Sequence, residues 1–277
     1  MNNFILSILM PILPKRLLSR IVGWFTRLRW PGPVSYWINQ KFAQAYKINL
    51  EEAERPLADY KTLNDFFTRK LKSGMRPIQG DWVHPADGSL TQAGPVKDGK
   101  IIQAKGWLYS VEELLGDQAL ARQYEDGFFT TYYLCPTDYH RVHSPVSGTL
   151  QSVRHIPGQL WPVNEWSVHR IKSLFCLNER VILNFQTELG PMSLVMVGAT
   201  NVGQIEINGL ESLRTNQWSC TSSALFEFSK PRQVLVGSEV GVFNMGSTVV
   251  CIYSKSFSKF DWLSLPRVTR VGEKVGR

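Results

Sequence analysis

The feature that most constrains the fold is a change of pattern near residue 80. Before it, apolar residues recur at helical spacing; after it, short β-branched and aromatic runs alternate with turn residues. The candidate strands are residues 129–134, 181–185, 193–197, 204–207, 225–228, 233–236 and 248–253. This order of elements predicts an α+β fold, with N-terminal amphipathic helices packed beside a largely antiparallel β core.

The helical part is expected to contain three segments, at residues 15–30, 35–46 and 64–72. A short fourth helix is predicted after Ser110, because Ser110 and Glu113 form a capping box and Gly116 is a typical C-terminal residue. We expect residues 1–75 to form a helical, membrane-associating region and residues 76–277 to form the β-rich catalytic core. No linker is distinct enough to mark two independent domains.

The first thirty residues indicate a membrane surface. Residues 4–13 are apolar, but they are too few to span a bilayer and are interrupted by Pro11. A secretory signal is a poor fit, because no basic residue precedes this run. The next helix has an apolar side with Trp24 and a basic side formed by Lys15, Arg16, Arg20, Arg27 and Arg29. Such a composition is typical of a helix lying in a membrane interface; the alternative is a helix that packs its apolar side on the core.

Charge and cysteine content limit the kinds of partner and of metal or disulfide site that are expected. The net charge of +8 favours an anionic partner, such as an acidic membrane surface. No block of lysine and arginine of the kind that binds nucleic acid is present, so no nucleic-acid partner is expected. The four cysteines are scattered without a Cys-x-x-Cys pair, which makes a zinc site or a disulfide framework a poor fit.

Gly246, Ser247 and Thr248 lie between two apolar runs within residues 240–253. Glycine before serine permits a strained backbone in which the serine hydroxyl reaches the preceding carbonyl. Attack by Ser247 on the carbonyl of Gly246 would turn the amide into an ester, and elimination would then leave a pyruvoyl group in place of Ser247. A strand bulge or a tight turn explains the same triplet without any chemistry.

Two other segments favour self-cleavage over a simple bulge or turn. They are residues 84–89, which read His-Pro-Ala-Asp-Gly-Ser, and residues 132–148, which contain Asp-Tyr-His-Arg-Val-His. With residues 243–249, they resemble the phosphatidylserine decarboxylase family. The resemblance extends through residues 63–72, Arg76 with Pro77, and residues 197–203, and therefore covers roughly residues 60–255. Met245 stands where the family usually has leucine, a change of similar volume.

The resemblance implies the chemistry and the residues that perform it. The chain would cleave itself between Gly246 and Ser247, and the pyruvoyl group formed from Ser247 would decarboxylate phosphatidylserine to phosphatidylethanolamine through a Schiff base. His143 would be the base for the attack by Ser247, Asp87 would be the partner of His143, and His140 would handle protons during decarboxylation. The products, residues 1–246 and 247–277, would remain together as a heterodimer on the cytoplasmic face of the cell membrane. No metal is implied.

The residues themselves leave alternatives open. His140 and His143 would share a face on a helical turn but point oppositely on a strand. Asp87 is also a typical turn residue.

A serine hydrolase using Ser247, His143 and Asp87 is a second hypothesis, although the sequence lacks a Gly-x-Ser-x-Gly elbow. A non-catalytic, membrane-binding β protein is a third. His84, His155 and His169 are interpreted as structural, and Arg141 either faces solvent or holds a carboxylate.

Overall fold

The structure is a computed structural model that describes residues 14–104, 106–200, 204–217, 221–244, 247–257 and 265–275. The predicted apolar segment 4–13 and Gly246 lie outside these ranges. The α-helices are α1 (Lys15–Thr26), α2 (Gly32–Ala45), α3 (Leu63–Phe67), α4 (Val111–Leu115), α5 (Gln118–Arg122), α6 (Glu165–Val168) and α7 (Leu174–Leu177). Two 3₁₀ turns, Leu50–Glu52 and Leu57–Asp59, connect α2 to α3.

The strands follow the predicted change of pattern near residue 80. They are β1 (Gly88–Pro95), β2 (Lys100–Ala104), β3 (Trp107–Ser110), β4 (Phe128–Leu134), β5 (Arg141–His143), β6 (Gly148–Ile156), β7 (Arg180–Thr187), β8 (Gly190–Gly198), β9 (Ile205–Ile207), β10 (Ala224–Val234), β11 (Glu239–Phe243), β12 (Ser247–Tyr253) and β13 (Arg267–Thr269). Eight form one sheet in the order β10-β6-β7-β8-β12-β4-β1-β13, and β5-β11-β9 form a second. Every pair in these two sheets is antiparallel. The predicted α+β fold with a largely antiparallel core is confirmed.

Most predicted elements are present, with shifted ends. The predicted start and end of this helix are confirmed, since the Ser110 side chain accepts from the amide of Glu113 and Gly116 ends α4 in the left-handed conformation. The helix predicted for residues 64–72 stops at Phe67, because Leu71 forms a β-bridge with Ala53 that keeps the following chain extended. The two strands predicted at 225–228 and 233–236 form the single strand β10, whose register against β6 shifts between Glu227 and Arg232.

The central strand β12 lies in the middle of the large sheet. It pairs with β4 on one side and with β8 on the other, from Ser247 to Tyr253. Its residues from Val249 to Tyr253 are fully buried and belong to the main hydrophobic core. Because the ladder and the apolar packing both hold β12, this strand would stay in place if the chain preceding it were cut.

Helix α1 turns its apolar side outward, and α2 exposes Val34, Tyr36 and Trp37 while its Phe42 packs against a small buried cluster. In α1 the buried positions are Lys15, Ser19, Gly23 and Thr26, and in α2 they are Ser35, Asn39 and Ala43. The exposed apolar residues of this region are Leu17, Ile21, Trp24, Phe25, Trp30, Val34, Tyr36 and Trp37, with Trp24 at 65% and Trp37 at 58%. The alternative of a helix whose apolar side packs on the core is therefore wrong for α1. Within the described residues, no helix has both the length and the apolar character needed to cross a bilayer.

The sequence led us to expect that the basic residues of the first helix all face away from the protein. The structure differs from this expectation. Three of them contact the protein body: Lys15 lies 3.7 Å from the centroid of the Trp161 ring, Arg20 Nε donates to the carbonyl of Asn216 (2.8 Å), and Arg27 Nη2 donates to Gln204 Oε1 (3.1 Å). The expectation of a single basic face toward lipid phosphates is wrong for these three. Their contacts instead attach α1 to the β-rich core. The small buried residues Ser19 and Gly23 allow this close approach.

Candidate active site

The three motif segments meet at one end of the large sheet. β4 ends at Leu134 and β12 begins at Ser247, and these two residues are paired. β1 begins at Gly88, next to Asp87, and its Ser89 pairs with Tyr133. A Cβ on Gly88 would lie 2.4 Å from the carbonyl oxygen of Tyr133, so only glycine allows β1 to approach β4 this closely behind Asp87. The sheet therefore brings Asp87, the chain after Leu134 and the backbone of Ser247 together.

The predicted cleavage site connects the two sheets. β11 ends at Phe243, whose amide donates to the carbonyl of His140 (3.0 Å). The chain then passes to the large sheet, where β12 begins at Ser247. Ser247 and Thr248 are the first two residues of β12, so the strand predicted for residues 248–253 is confirmed and begins one residue earlier.

Asn244 holds the chain just before the cleavage site. It is 3% exposed, and its Nδ2 donates to Glu206 Oε1 (2.7 Å) while its Oδ1 accepts from Asn64 Nδ2 (2.8 Å). Its amide also donates to the carbonyl of Gln204 (2.9 Å). Sequence reasoning assigned no role to Asn244 or Asn64. Their contact joins the end of β11 to α3.

His143 is held as a neutral ring with one nitrogen suited to accept a proton. Its Nδ1 lies 2.7 Å from the carbonyl oxygen of Gly237, so Nδ1 carries the proton. Its Nε2 lies 3.2 Å from the hydroxyl of Tyr139, which donates to it. Burial lowers the pKa of His143, while the Gly237 bond and the charges of Glu239 and Asp87 act in the opposite direction. This tautomer is the one that a general base toward a hydroxyl requires.

Asp87 does not make the expected contact with His143. Its carboxylate accepts from Arg76 Nε at 3.0 Å and from Arg76 Nη2 at 2.6 Å, and its Oδ1 accepts from the amide of Val271 (2.9 Å). Arg76 also binds Glu52 Oε2 at 2.7 Å. The orienting bond predicted from Asp87 is supplied by the carbonyl of Gly237 instead. The negative charge of Asp87 still acts on the His143 ring at longer range, and its part in catalysis stays a prediction.

His140 is completely buried beside α3. Its Nδ1 donates to the carbonyl of Asp138 (2.9 Å), and its ring centroid lies 4.0 Å from that of Phe67. Burial, with a smaller effect of Arg69, lowers the pKa of His140 to about 3. Its Nε2 is buried and has no hydrogen-bond partner in the part of the chain that is described. His140 therefore presents an unoccupied lone pair in a dry environment.

The helical-turn alternative for the two histidines is wrong. His143 belongs to β5 and His140 lies just before it, so an extended backbone separates them. His140 packs toward α3, whereas His143 contacts Gly237 and Tyr139. Two distinct environments are consistent with two distinct roles.

Asp138 and Tyr139 lie in the same loop, and sequence reasoning gave neither a catalytic role. Asp138 Oδ2 accepts from the amide of Cys135 (2.7 Å), while burial and the nearby charge of Asp87 raise the pKa of Asp138. Tyr139 is 6% exposed. The sequence could have indicated both residues as site residues, because they begin the Asp-Tyr-His-Arg-Val-His run that carries the family resemblance.

A cavity of ≈ 230 Å³ adjoins this loop. Its lining includes Asp87, Asp138, Tyr139, Arg69 and Arg76. Among the described residues, no group of three or more histidine, cysteine, aspartate or glutamate side chains is arranged to hold a metal ion.

His84, His155 and Arg141 have contacts typical of structural residues, and His169 is exposed. His84 Nδ1 lies 3.0 Å from the Tyr132 hydroxyl, and His155 Nε2 lies 2.9 Å from Glu179 Oε1. Arg141 holds a carboxylate, that of Glu239, at 2.8 Å. Of the two predictions for Arg141, the second is confirmed.

His84 makes the stability of the fold depend on pH. Burial, with the nearby charge of Arg267, lowers the pKa of His84 to about 4, whereas an unfolded chain protonates the ring below about pH 6.5. Between these values only the unfolded chain binds the proton, so the free energy of unfolding falls as the pH falls. We expect His84→Gln to reduce this slope by about 1 kcal/mol per pH unit between pH 6 and pH 5. Urea denaturation at several pH values measures the slope; exposed His169→Gln is the control, and an unchanged slope in His84→Gln would contradict the prediction.

Comparison with known proteins agrees with the motifs. The sequence model of the phosphatidylserine decarboxylase family matches residues 63–277, and a second model, described as PSD, matches residues 8–47. Three relatives carry the name phosphatidylserine decarboxylase proenzyme. The protein of Myxococcus xanthus is 40% identical over 280 residues, covering 100% of this chain and 99% of its own. That of Shewanella halifaxensis is 42% identical over 279 residues, covering 96% of each chain, and that of Anaeromyxobacter sp. is 40% identical over 280 residues, covering 100% and 99%.

The matched regions contain every segment that meets at the end of the large sheet, including Asp87, His140, His143 and Ser247. The relatives are matched along essentially their whole length. This chain belongs to the phosphatidylserine decarboxylase family.

Proposed function

We propose that the chain cleaves its own Gly246–Ser247 peptide bond, turns Ser247 into a pyruvoyl group, and decarboxylates phosphatidylserine to phosphatidylethanolamine. The observation that carries the proposal is the place of Ser247, which begins the buried strand β12 directly opposite Leu134. The loop that follows Leu134 leads to both His140 and His143. The name proenzyme, carried by the relatives, supports processing of this kind.

In the cleavage step the Ser247 hydroxyl attacks the carbonyl carbon of Gly246. The bond from that carbon to the nitrogen of residue 247 breaks, and an ester with a free amine replaces the amide. His143 Nε2 is the proposed acceptor of the hydroxyl proton, for which the Tyr139 hydroxyl must give up its hydrogen bond. A base then takes the Cα proton of residue 247, which eliminates the carboxylate of residue 246 and leaves a dehydrated residue. Hydrolysis of that residue takes up water and releases ammonia.

We infer that a pyruvoyl group at position 247 would act together with the histidines that follow Leu134, the residue paired with Ser247. Such a group supplies a ketone that condenses with the amine of the serine head group and accepts the electrons left when carbon dioxide departs. His140 Nε2, buried and without a partner among the described atoms, is suited to hold or deliver the proton that replaces the carboxylate. The buried Phe67 ring against His140 helps to exclude water from this nitrogen.

The two products of cleavage would remain one heterodimer. Residues 247–253 form the ladder with β4 and β8, so the start of the smaller chain would be held at the centre of the sheet, and β13 would be held by its pairing with β1. Residues 1–75 would act as the membrane-associating region and residues 76–277 as the catalytic core.

We also propose that the protein binds peripherally to the cytoplasmic face of the cell membrane through α1 and α2. The support is the row of exposed aromatic residues on both helices, including Trp24, Phe25 and Trp37. Each buried Å² of apolar surface contributes about 25 cal/mol, while each free basic residue near an anionic surface contributes about 1 kcal/mol. Because Lys15, Arg20 and Arg27 contact the protein body, the apolar contribution should dominate.

Membrane binding is expected to depend on the exposed aromatic residues. Replacing Trp24, Phe25 and Trp37 together with glutamine should lower vesicle binding at least tenfold, because it removes much of the apolar surface available for burial. Binding by the wild type should weaken only modestly with salt. Co-sedimentation with vesicles containing phosphatidylserine measures both effects. Leu235→Gln, which changes a residue 69% exposed on another part of the protein, is the matched control. An equal loss of vesicle binding in both variants would mean that the membrane contact is not made by α1 and α2.

Intact mass and lipid analysis of the purified wild-type protein test the main proposal. Two chains, the smaller beginning at the former Ser247 with a blocked N-terminus, together with phosphatidylethanolamine production, are expected. A single chain that hydrolyses esters would favour the serine hydrolase instead.

A further inference from the structure

Arg69 is a buried cation whose hydrogen-bonding capacity is largely unused. It follows α3, is 4% exposed, and lines the cavity beside Asp87. Its Nη2 donates to the carbonyl of Thr137 (3.1 Å), but its Nε and Nη1 are buried without a hydrogen-bond partner among the described residues. A buried guanidinium is costly unless an anion accompanies it, so the site is incomplete as it stands.

The nearby carboxylates are engaged elsewhere. Asp87 and Glu52 both bind Arg76, at 2.6 and 2.7 Å. Asp138 accepts from the amide of Cys135. No ion pair in the described part of the chain includes Arg69. Asp87, Glu52 and Asp138 therefore act on the charge of Arg69 only at longer range, and its Nε and Nη1 groups remain available to a ligand.

The cavity is placed to receive a lipid head group. Its lining includes Lys47, which follows the end of α2, and Thr137 and Asp138, which belong to the loop after Leu134. The same cavity thus lies between the chain that follows a proposed membrane-binding helix and the loop that follows Leu134, the residue paired with Ser247. Its volume of ≈ 230 Å³ is small, which suits a head group rather than an acyl chain.

We propose that Arg69 binds the phosphodiester of the phospholipid head group; this inference rests on the proposed function. The substrate offers two anionic groups, a carboxylate and a phosphodiester. Because the carboxylate leaves as neutral carbon dioxide, an arginine bound to it would stabilise the starting state more than the transition state. The phosphodiester keeps its charge throughout, so binding it positions the substrate without slowing the reaction. The guanidinium also has unused donors for phosphate oxygens, because Nε and Nη1 have no hydrogen-bond partner among the described residues.

The test uses the full-length Ser247→Ala variant, so that binding is measured without reaction. The probes are glycerophosphoserine, glycerophosphoethanolamine, free serine and inorganic phosphate, followed by calorimetry or ligand-observed NMR. Arg69→Gln should weaken both glycerophospho compounds at least tenfold, and Arg69→Lys should retain part of the affinity. Lys70→Gln, which removes the same charge from the exposed neighbouring residue, should leave binding unchanged.

Three results would overturn the inference. One is equal binding of glycerophosphoserine by Arg69→Gln and its parent. Another is a loss confined to the two ligands that carry a carboxylate, which would assign Arg69 to that group. The third is inorganic phosphate binding as tightly as glycerophosphoserine, which would indicate a general phosphate site. Failure of the proposed function would appear separately, as a wild-type chain that stays intact, and would not alter this comparison.

Discussion

Replacing Ser247 with alanine is expected to leave the purified protein as one chain and to reduce phosphatidylserine decarboxylation to background. Both losses have one cause, because the hydroxyl that attacks Gly246 also belongs to the residue that becomes the ketone. The decrease in activity should exceed the 10²–10⁴-fold typical of removing one acid or base, since no electron acceptor would form. Denaturing electrophoresis and intact mass measure cleavage, and phosphatidylethanolamine formation measures turnover.

Thr248→Val is the matched control for this change. Thr248 is the next residue on β12, its hydroxyl is buried without a hydrogen-bond partner among the described residues, and successive side chains on a strand point to opposite faces. Replacing that hydroxyl with a methyl group of similar shape should be nearly neutral for folding. Thr248→Val should therefore cleave normally. A Ser247→Ala protein that still decarboxylates lipid as a single chain would refute the pyruvoyl proposal.

Local patterns predicted the elements well but did not predict which faces are buried. The strands that flank Ser247 are short apolar runs, and such runs have the same appearance wherever they lie in a sheet. In α1 the helical period and the interfacial composition predicted that Trp24 would face outward, but the sequence could not show that Ser19 and Gly23 would face the protein and that Arg20 would contact it. That choice depends on the surface of the core against which α1 packs.

Contacts between distant residues were the part that sequence reasoning missed. Asn64 meets Asn244 across 180 residues of chain, and Arg76 binds Asp87 where a contact with His143 was expected. The Asp87 motif identified a residue at the end of a strand, which is where it lies. It did not reveal a neighbouring cation, because Arg76 is brought there by the bridge and turns that follow α3 rather than by a motif. The tautomer of His143 likewise depends on Gly237, a backbone carbonyl that no side-chain pattern indicates.

The two histidines should separate cleavage from turnover. His143→Gln and His140→Gln are suitable changes, because glutamine can still donate to the carbonyls of Gly237 and Asp138 but cannot take up a proton. We expect His143→Gln to slow formation of the two chains by about 10²-fold or more, as loss of a general base commonly does. His140→Gln should be cleaved readily and then decarboxylate about 10²–10⁴-fold more slowly, since only the later proton transfer lacks its donor.

A time course of chain cleavage, followed by turnover normalised to the cleaved fraction, distinguishes these effects. Asp87→Asn should slow cleavage less than His143→Gln does, because its carboxylate acts on the ring of His143 only at longer range and is bound to Arg76. Exposed His169→Gln should change neither quantity. The opposite pattern, with His140→Gln uncleaved and His143→Gln fully matured, would exchange the two roles. It would make the buried lone pair of His140 Nε2, rather than the nitrogen bound by Tyr139, the base that activates Ser247.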